Sequence, residues 1–335
     1  MEANTHHKLH TIVSRLQYCL ILVLFSSGIY SQQLPLYSQY NFNKFLINPA
    51  NAGYNGYTSI NLVAREQWTG FEGAPRTHAI TVDSRILPNS YIEKDASVRK
   101  KKRMSSRSGR VGWAAHLFND HTGPLDRTGL EGTYAYHLSF TDSQLSFGLS
   151  GMFYQFRLNK DEVILSGDPY DPLVDGIKGT VYIPDASLGV FYTTSRIHAG
   201  ISAQHLLQSS VQFGDRIDDY RLYRNYNITA GYLWYLGERV SIEPSFLLRL
   251  PERSDPLLDV NADISINEKF WAGLSYRTGN AMIIYLGARF DRYFFGYAFD
   301  YNFNTLMDYT YGSHEFMAAV RFGQNARRYR WLKAF

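Results

Sequence analysis

A two-residue alternation of apolar and polar side chains runs through most of this 335-residue chain and constrains its fold more than any other feature. It is clearest from Leu258 to Asn267, where every second residue is apolar and the residues between are Asp, Asn or Ser. This period places apolar side chains on one face of a β-strand and polar ones on the other. The pattern recurs in Val240–Leu250, Lys269–Arg277 and Tyr293–Asn302, so the chain is predicted to be all-β.

The number and length of the strands favour a membrane barrel. About 14 strands are predicted, most of them about ten residues long, and bacterial single-chain barrels have an even number of such strands. The predicted strands are 57–68, 76–86, 109–119, 128–140, 144–157, 185–194, 196–204, 222–236, 239–250, 257–267, 269–278, 281–290, 293–303 and 313–323. We therefore expect a transmembrane antiparallel up-and-down β-barrel with apolar side chains outside and polar side chains inside. A soluble β-sandwich array would alternate too, and it is the alternative.

Composition agrees with a barrel and excludes two other classes of protein. Aromatic residues make up 16% of the chain, which suits aromatic girdles, while the mean hydropathy is only -0.28. Beyond the first segment, no apolar run is long enough for a membrane helix, which excludes a helical membrane protein. The net charge of +4 is mild, and no nucleic-acid-binding module is recognisable, so no nucleic-acid partner is expected.

The first segment has the layout of a secretory signal peptide. Lys8 and Arg15 precede an apolar core at Leu20–Phe25, and small residues follow up to a predicted cleavage site near Ser31. Cys19, the single cysteine, lies in this segment, so the mature chain is predicted to have no disulfide, thiolate nucleophile or cysteine metal site. The predicted organisation is a signal peptide at 1–31, a periplasmic lead-in or plug at 32–56, a barrel at 57–323 and a short basic tail at 324–335.

The lead-in is polar, non-periodic and placed directly before the first strand. Asn48 can cap a short helical turn, and Pro49 suits the first position of that turn because its missing N–H would be unsatisfied there. Gly53 supplies the permissive backbone that ends such a turn. A capped loop with no further role is the simpler interpretation of these residues.

The connections between predicted strands divide by length. Because both ends of an even-stranded barrel lie on the periplasmic side, connections alternate between the two faces. Tight turns are predicted on the periplasmic side at Thr141–Ser143, Ser195, Gly237–Glu238, Glu268 and Asp291–Arg292. Longer loops are predicted on the opposite side at 69–75, 120–127, 158–184, 205–221 and 304–312.

Several short motifs, in order along the chain, resemble the PorP/SprF family of type IX secretion system membrane proteins. They are SQY (Ser38–Tyr40), NPANAG (Asn48–Gly53), REQWTGFEGAPRTHAI (Arg65–Ile80), FNDHTGPLDRTGL (Phe118–Leu130), YAYH (Tyr134–His137) and HEFMAAVRF (His314–Phe322). The resemblance implies a barrel in the outer membrane that serves type IX secretion or gliding motility. The implied partners are periplasmic or outer-membrane secretion components, a secreted or surface-anchored cargo protein such as an adhesin, and outer-membrane lipid. A general porin or transporter is the alternative that the fold alone supports.

A basic arm interrupts the regular turns between the second and third strands. Residues 87–108 carry seven Lys or Arg side chains against two acidic ones, and the topology puts them on the periplasmic side. Such a cluster suits docking to an acidic partner or lipid headgroups, although a solvated insert is the simpler interpretation. The predicted partner-binding residues, in the lead-in and this arm, are Ser38, Gln39, Tyr40, Asn48, Pro49, Gly53, Lys100, Lys101, Lys102 and Arg103.

Charged residues of both signs fall on the polar phase of the strands and are predicted to line the lumen. This set comprises Glu131, His137, Glu243, Arg249, Asp259, Asp263, Arg277, Arg289, Asp300, Glu315 and Arg321. Since neither sign dominates, a cross-linked wall with a plugged or narrow interior is favoured over a selective pore.

No motif points to an enzyme. The chain has no G-x-S-x-G elbow, H-E-x-x-H helix, P-loop or dinucleotide fingerprint, and alternation already accounts for the His residues on the strands. The acidic loop Asn159–Pro184 matches no calcium-loop spacing. We therefore expect a protein without catalytic activity, cofactor or metal.

Overall fold

The fold is a closed antiparallel β-barrel of fourteen strands, seen in a computed structural model of the chain. The structure describes residues 37–86, 110–159, 179–211, 220–279, 281–303 and 305–322. Barrel strands pair with their neighbours in sequence, and the first strand pairs with the last to close the sheet. The prediction of an all-β, up-and-down barrel is confirmed.

The strand boundaries agree with most of the predicted segments. The strands are β1 (Thr58–Glu66), β2 (Arg76–Ile86), β3 (Val111–Thr122), β4 (Leu125–Ser139), β5 (Ser143–Leu158), β6 (Thr180–Thr194), β7 (Ile197–Gln204), β8 (Ser210–Val211), β9 (Tyr220–Arg221), β10 (Asn225–Tyr232), β11 (Trp234–Leu236), β12 (Val240–Pro251), β13 (Leu257–Ile266), β14 (Phe270–Arg277), β15 (Ala281–Phe290), β16 (Tyr293–Asn302) and β17 (Ser313–Phe322). β10 and β11 are two parts of one barrel strand, since both pair with β12. β8 and β9 pair with each other outside the barrel sheet.

Burial follows the alternation, with the apolar face outside. On β14, Leu274 is 49% exposed whereas its neighbour Ser275 is 1% exposed. On β5, Leu149 is 50% exposed and Ser150 is fully buried. Large apolar side chains that face outwards along a whole sheet, with polar ones inside, are the arrangement of a barrel whose solvent is lipid.

The two ends of the barrel differ in their connections. One end, here called the turn side, carries the short connections 140–142, 195–196, 237–239, 267–269 and 291–292. The other end, called the loop side, carries 67–75, 159–179, 205–224, 252–256 and 303–312. All five predicted tight turns lie on the turn side. The basic arm joins β2 to β3 on this same side, but residues 87–109 lie outside the described part of the chain, as do the predicted signal peptide and tail.

One predicted loop is wrong, because the 120–127 segment is mostly strand. β3 and β4 continue to a two-residue turn at Gly123 and Pro124. Charged residues in this segment are typical of a loop, but here they pair with each other across the hairpin. Inside the barrel, Arg127 Nη2 lies 2.9 Å from Asp120 Oδ2, and outside it His121 Nδ1 lies 2.6 Å from Asp126 Oδ1. Cross-strand pairing of opposite charges lets polar residues occupy strand positions.

Helical structure in the described residues consists of short 3-10 turns at Tyr40–Phe42, Lys44–Leu46, Pro49–Asn51 and Thr305–Asp308. Within these described ranges, no helix has the length and apolarity needed to span a bilayer.

We expect a charge on the outer face to destabilise the barrel. Leu274→Arg places a guanidinium near the middle of β14 on the face predicted to meet lipid, at a cost of about 2–4 kcal/mol. The free energy of unfolding in lipid vesicles measures this, with Leu274→Phe as the apolar control. Equal stability of the two variants would contradict a lipid-facing position.

Candidate functional site in the barrel lumen

The lead-in lies inside the barrel. From Tyr37 to Gly56 it forms no strand, and its three 3-10 turns are surrounded by the inward faces of the barrel strands. Tyr40 is 6% exposed, Phe45 is 3% exposed and Ala50 is fully buried. The lead-in is therefore a lumen-filling segment, and its contacts with the wall define the candidate site.

An ion cluster holds the first described residues of the lead-in. Arg65 Nη2 lies 2.7 Å from Asp300 Oδ2, and Arg65 Nη1 lies 3.1 Å from Glu315 Oε2, with all three side chains buried. One guanidinium thus faces two carboxylates, so some carboxylate oxygens can still accept hydrogen bonds from other donors.

The lead-in supplies the missing donors. The Ser38 amide donates to Glu315 Oε2 at 2.6 Å, and the Gln39 amide donates to Glu315 Oε1 at 2.9 Å. Ser38 Oγ donates to Asp300 Oδ1 at 2.6 Å and accepts from Arg65. Hydrogen bonds to charged groups contribute roughly 1.5–3 kcal/mol each, so this cluster fixes the lead-in strongly.

A row of small residues forms a seat for the NPANAG turn on the opposite wall. Cross-strand register aligns one inward-facing position on each of β3 to β7, and all five are small. They are Gly112, Ala135, Gly148, Gly189 and Ser202. Since a side chain beyond Cβ is absent at most of these positions, the backbone of the lead-in can approach the sheet directly.

The glycines of this row have no room for a side chain. A Cβ on Gly148 would lie 2.1 Å from the Ala50 nitrogen, and one on Gly112 would lie 2.0 Å from the Ala52 oxygen. A Cβ on Gly189 would lie 2.0 Å from Asn48 Oδ1. The seat and the turn therefore fit each other at backbone contact distance.

Asn48 caps the turn and also ties it to the wall. Its Oδ1 accepts from the Ala50 amide at 3.0 Å, as the sequence predicts for a cap, and Pro49 occupies the first helical position. Its Nδ2 donates to the carbonyls of Val190 (2.9 Å) and Ile201 (3.1 Å). The second role joins the lead-in to β6 and β7 and has no signature in the local sequence.

Gly53 ends the turn in the left-handed region, with φ of 65°. A Cβ there would lie 2.5 Å from the carbonyl oxygen of Ser84 on β2. Both the backbone angle and the close approach require glycine.

His137 fixes the turn from the wall side. Its Nε2 lies 3.0 Å from the Ala52 oxygen, and its Nδ1 lies 2.7 Å from Ser146 Oγ. A carbonyl can only accept, so Nε2 carries the proton and Nδ1 accepts from the serine. A neutral histidine therefore satisfies both contacts.

Polar side chains of the wall, including Ser202 of the seat, bind the middle of the lead-in. Asn261 Nδ2 donates to Tyr40 Oη at 2.6 Å, and Ser202 Oγ donates to the Ile47 oxygen at 2.6 Å. Lys44 Nζ lies 3.5 Å from Glu243 Oε1.

The lead-in crosses the lumen from the loop side to the turn side. Ser38 is bound by Asp300, Arg65 and Glu315, which lie near the loop-side ends of β16, β1 and β17. Gly53 approaches Ser84, near the turn-side end of β2, and the chain then enters β1.

The predicted partner-binding residues of the lead-in are buried. Exposure is 4% for Ser38, 2% for Gln39, 6% for Tyr40 and 1% for Asn48. Pro49 and Gly53 are buried as well. A partner could reach these side chains only if the lead-in left the lumen. Lys100, Lys101, Lys102 and Arg103 lie outside the described residues.

The predicted lumen charges all occupy inward-facing strand positions, but they form separate groups. Arg277 pairs with Asp259 through two 2.8 Å hydrogen bonds, and Arg249 is buried near them. Arg289 and Arg321 lie 5.3 and 4.1 Å from the centre of the Phe294 ring.

The other members of the set contact neighbouring polar groups. Glu131 Oε2 lies 3.7 Å from His116 Nδ1, and Glu243 Oε1 lies 3.7 Å from His198 Nδ1. Asp263 accepts from Asn41 at 3.0 Å and from Tyr285.

Sequence reasoning missed Arg65 and the row of small residues. Arg65 is on the inward phase of β1, and Gly112, Gly148 and Gly189 each stand at inward positions of long strands. Glycine weakens a strand interior, so several inward glycines on neighbouring strands were the available signal for a close backbone approach.

Comparison with known proteins gives a family match over most of the chain. The model of the family described as "Type IX secretion system membrane protein PorP/SprF" matches residues 29–320. No match was found among curated proteins.

Among solved structures, two barrels are similar at low sequence identity. The outer membrane protein Omp33 of Acinetobacter baumannii is 8% identical with a TM-score of 0.45, and the match covers 80% of this chain and 100% of that one. A TodX deltaS2S3 mutant monoaromatic hydrocarbon channel is 11% identical with a TM-score of 0.46, covering 84% of this chain and 94% of that one. These values are too low to transfer a ligand or function.

We expect Gly148→Ala to displace the turn from its seat. The new Cβ would overlap the backbone of Pro49 and Ala50, at a cost of about 1–3 kcal/mol for overpacking. Hydrogen exchange of the amides from Asn48 to Gly53 should become faster. Gly151→Ala on the same strand is the control, because a Cβ there meets nothing within 4 Å. Equal exchange in both variants would show that the seat is not occupied.

We expect Arg65→Met to destabilise the protein by about 3–5 kcal/mol, because it leaves Asp300 and Glu315 buried without their cation. Denaturant unfolding of the refolded barrel measures the loss. Arg292→Met is the control, since Arg292 is 54% exposed beside an exposed Asp291 and its ion pair contributes little. An Arg65→Met variant as stable as the Arg292→Met control would contradict this role for Arg65.

Proposed function

The chain belongs to the PorP/SprF family of type IX secretion system membrane proteins, and we propose that it links periplasmic machinery to the secretion or surface anchoring of a cargo protein. In this role it is an outer-membrane component of type IX secretion or gliding machinery, and the cargo is a protein such as an adhesin. The family match and the apolar outer face of the barrel support this proposal.

The observation that carries the proposal is the lead-in bound across the lumen. A general porin works through a water-filled interior. Here the interior holds a segment fixed at both ends, by the Arg65 ion cluster and by the glycine seat. Where the described residues line the interior, two cavities beside the lead-in have volumes of about 90 and 30 Å³, which is room for a few water molecules. The porin alternative is therefore less well supported.

The lead-in acts in this proposal by holding the turn-side mouth in one shape. Tyr54, Asn55 and Tyr57 are partly exposed where the lead-in passes into β1. The basic arm begins on the same side, after Ile86. If the turn side is periplasmic, as predicted, a secretion component meets both features together. The family motif in the lead-in is buried, and it then acts indirectly, by keeping this surface in place.

We expect replacement of Asn48 and Pro49 with Gly to impair secretion while the barrel still assembles. The double variant loses the cap, the fixed backbone angle and two hydrogen bonds to β6 and β7, which costs about 1 kcal/mol or more of local order. The assay is surface display of the proteins that disappear from the cell surface when this gene is deleted.

The control for this experiment neutralises a lumen ion pair away from the turn. Arg277→Met with Asp259→Asn removes a buried pair and is expected to change stability more than secretion. Heat-dependent gel mobility reports assembly of each barrel. An assembled Asn48 and Pro49 variant that displays cargo at wild-type levels would show that the lead-in is only a tether.

A further inference from the structure

A small cavity lies between the lead-in and the wall of β12 to β14, towards the turn side. Its volume is about 90 Å³. The lead-in contributes Lys44, Asn51 and Tyr54, and the wall contributes Glu243 and Trp271 among others. The wall residues of this cavity belong neither to the glycine seat nor to the Arg65 cluster, so the cavity is a separate feature.

Negative charge dominates the lining of this cavity. Among the described residues, four carboxyl groups line it, against the two cationic side chains of Lys44 and Arg321. The carboxylates are Asp83, Glu243, Asp263 and Glu268. In a site partly shielded from water, an excess of carboxyl groups over cationic groups favours a cationic guest.

A buried acceptor without a partner lies in the same lining. Asn51 is 6% exposed, and its Oδ1 has no hydrogen-bond partner within the described residues. Its Nδ2 donates to the Lys44 backbone oxygen at 3.4 Å, so Oδ1 is the amide atom that lacks a partner among these residues. An unpaired buried acceptor costs about 1–3 kcal/mol, which a donor in the cavity would recover.

An aromatic wall adds a second attraction for a cation. The rings of Phe42 and Trp271 both line the cavity, with centroids 4.9 Å apart. Cations bind to such ring faces, and an indole face binds best. Within the described part of the chain, the Trp271 indole N–H has no hydrogen-bond acceptor either.

Size limits the guest to the tip of a side chain. About 90 Å³ corresponds to roughly three water molecules, well below the several hundred Å³ of ordinary ligand pockets. From charge, acceptors, aromatic wall and volume together, we propose that this cavity binds one alkylguanidinium or alkylammonium group, the end of an Arg or Lys side chain. Binding of such a group depends on the chemistry of the cavity and does not depend on whether the protein serves secretion.

The test uses the purified full-length barrel in detergent and ethylguanidinium as the probe. We expect saturable binding by calorimetry, and no binding of ethylurea, which has nearly the same shape without the charge. Asn51→Ala is expected to weaken ethylguanidinium binding about tenfold, as the loss of one hydrogen bond to a charged group predicts. Glu268→Gln is expected to weaken it less, because Glu268 is an exposed carboxylate. Heat-dependent gel mobility verifies that each variant is folded.

Glu72→Gln is the matched control, because Glu72 is an exposed carboxylate on the loop side. It is expected to leave the affinity unchanged. Absence of saturable ethylguanidinium binding to the folded barrel, both in the wild type and with Lys100, Lys101, Lys102 and Arg103 all replaced by Gln, would overturn the proposal and leave water as the occupant. Equal binding of ethylurea, or equal weakening by Glu72→Gln, would overturn it too.

Two sources could supply the basic side chain, and one further variant distinguishes them. Lys100, Lys101, Lys102 and Arg103 belong to the connection that starts on the turn side. If this run competes for the cavity, replacing all four with Gln tightens ethylguanidinium binding. Unchanged affinity in that variant assigns the natural guest to another molecule, with the cavity chemistry still supported.

Discussion

Polar groups buried inside a barrel must find hydrogen-bond partners, and this requirement holds the lead-in in the lumen. Asp300 and Glu315 face a single guanidinium from Arg65, so the wall alone leaves carboxylate oxygens unsatisfied. The amides of Ser38 and Gln39 complete the cluster. The wall and the lead-in are therefore two halves of one hydrogen-bonded core, and the barrel reaches its stable state with its own N-terminal segment inside.

Backbone contact explains why the other end of the lead-in is so closely held. A turn made of Pro49, Ala50 and Asn51 has little side-chain volume, and it lies on a row of equally small wall residues. Small residues on both sides bring the two backbones together, so dispersion and hydrogen bonds act at short range. Asn48 then reaches the carbonyls of two strands at once. The short NPANAG motif therefore fits this part of the wall specifically, because the wall residues opposite it are small.

The sequence predicted the barrel well because alternation is local and lipid imposes it on every strand. The cap at Asn48 and the left-handed Gly53 were also predictable, since both depend on nearest neighbours. The sequence predicted a periplasmic lead-in or plug, but the contacts of this segment inside the lumen were not predictable, because they join residues more than 100 positions apart, such as Asn48 with Val190. The 120–127 segment was misassigned for a related reason, since Asp120 and Arg127 look like loop residues until they pair across strands.

Single-channel recording in planar bilayers shows whether the lead-in fills the lumen of the native barrel. The wild-type protein is predicted to give no sustained open-pore current, because the Arg65 cluster and the glycine seat hold the segment across the interior. A variant that lacks residues 37–52 is predicted to conduct if its barrel assembles. Sustained porin-like conductance from the intact, correctly folded wild-type barrel would show that the lead-in does not fill the lumen.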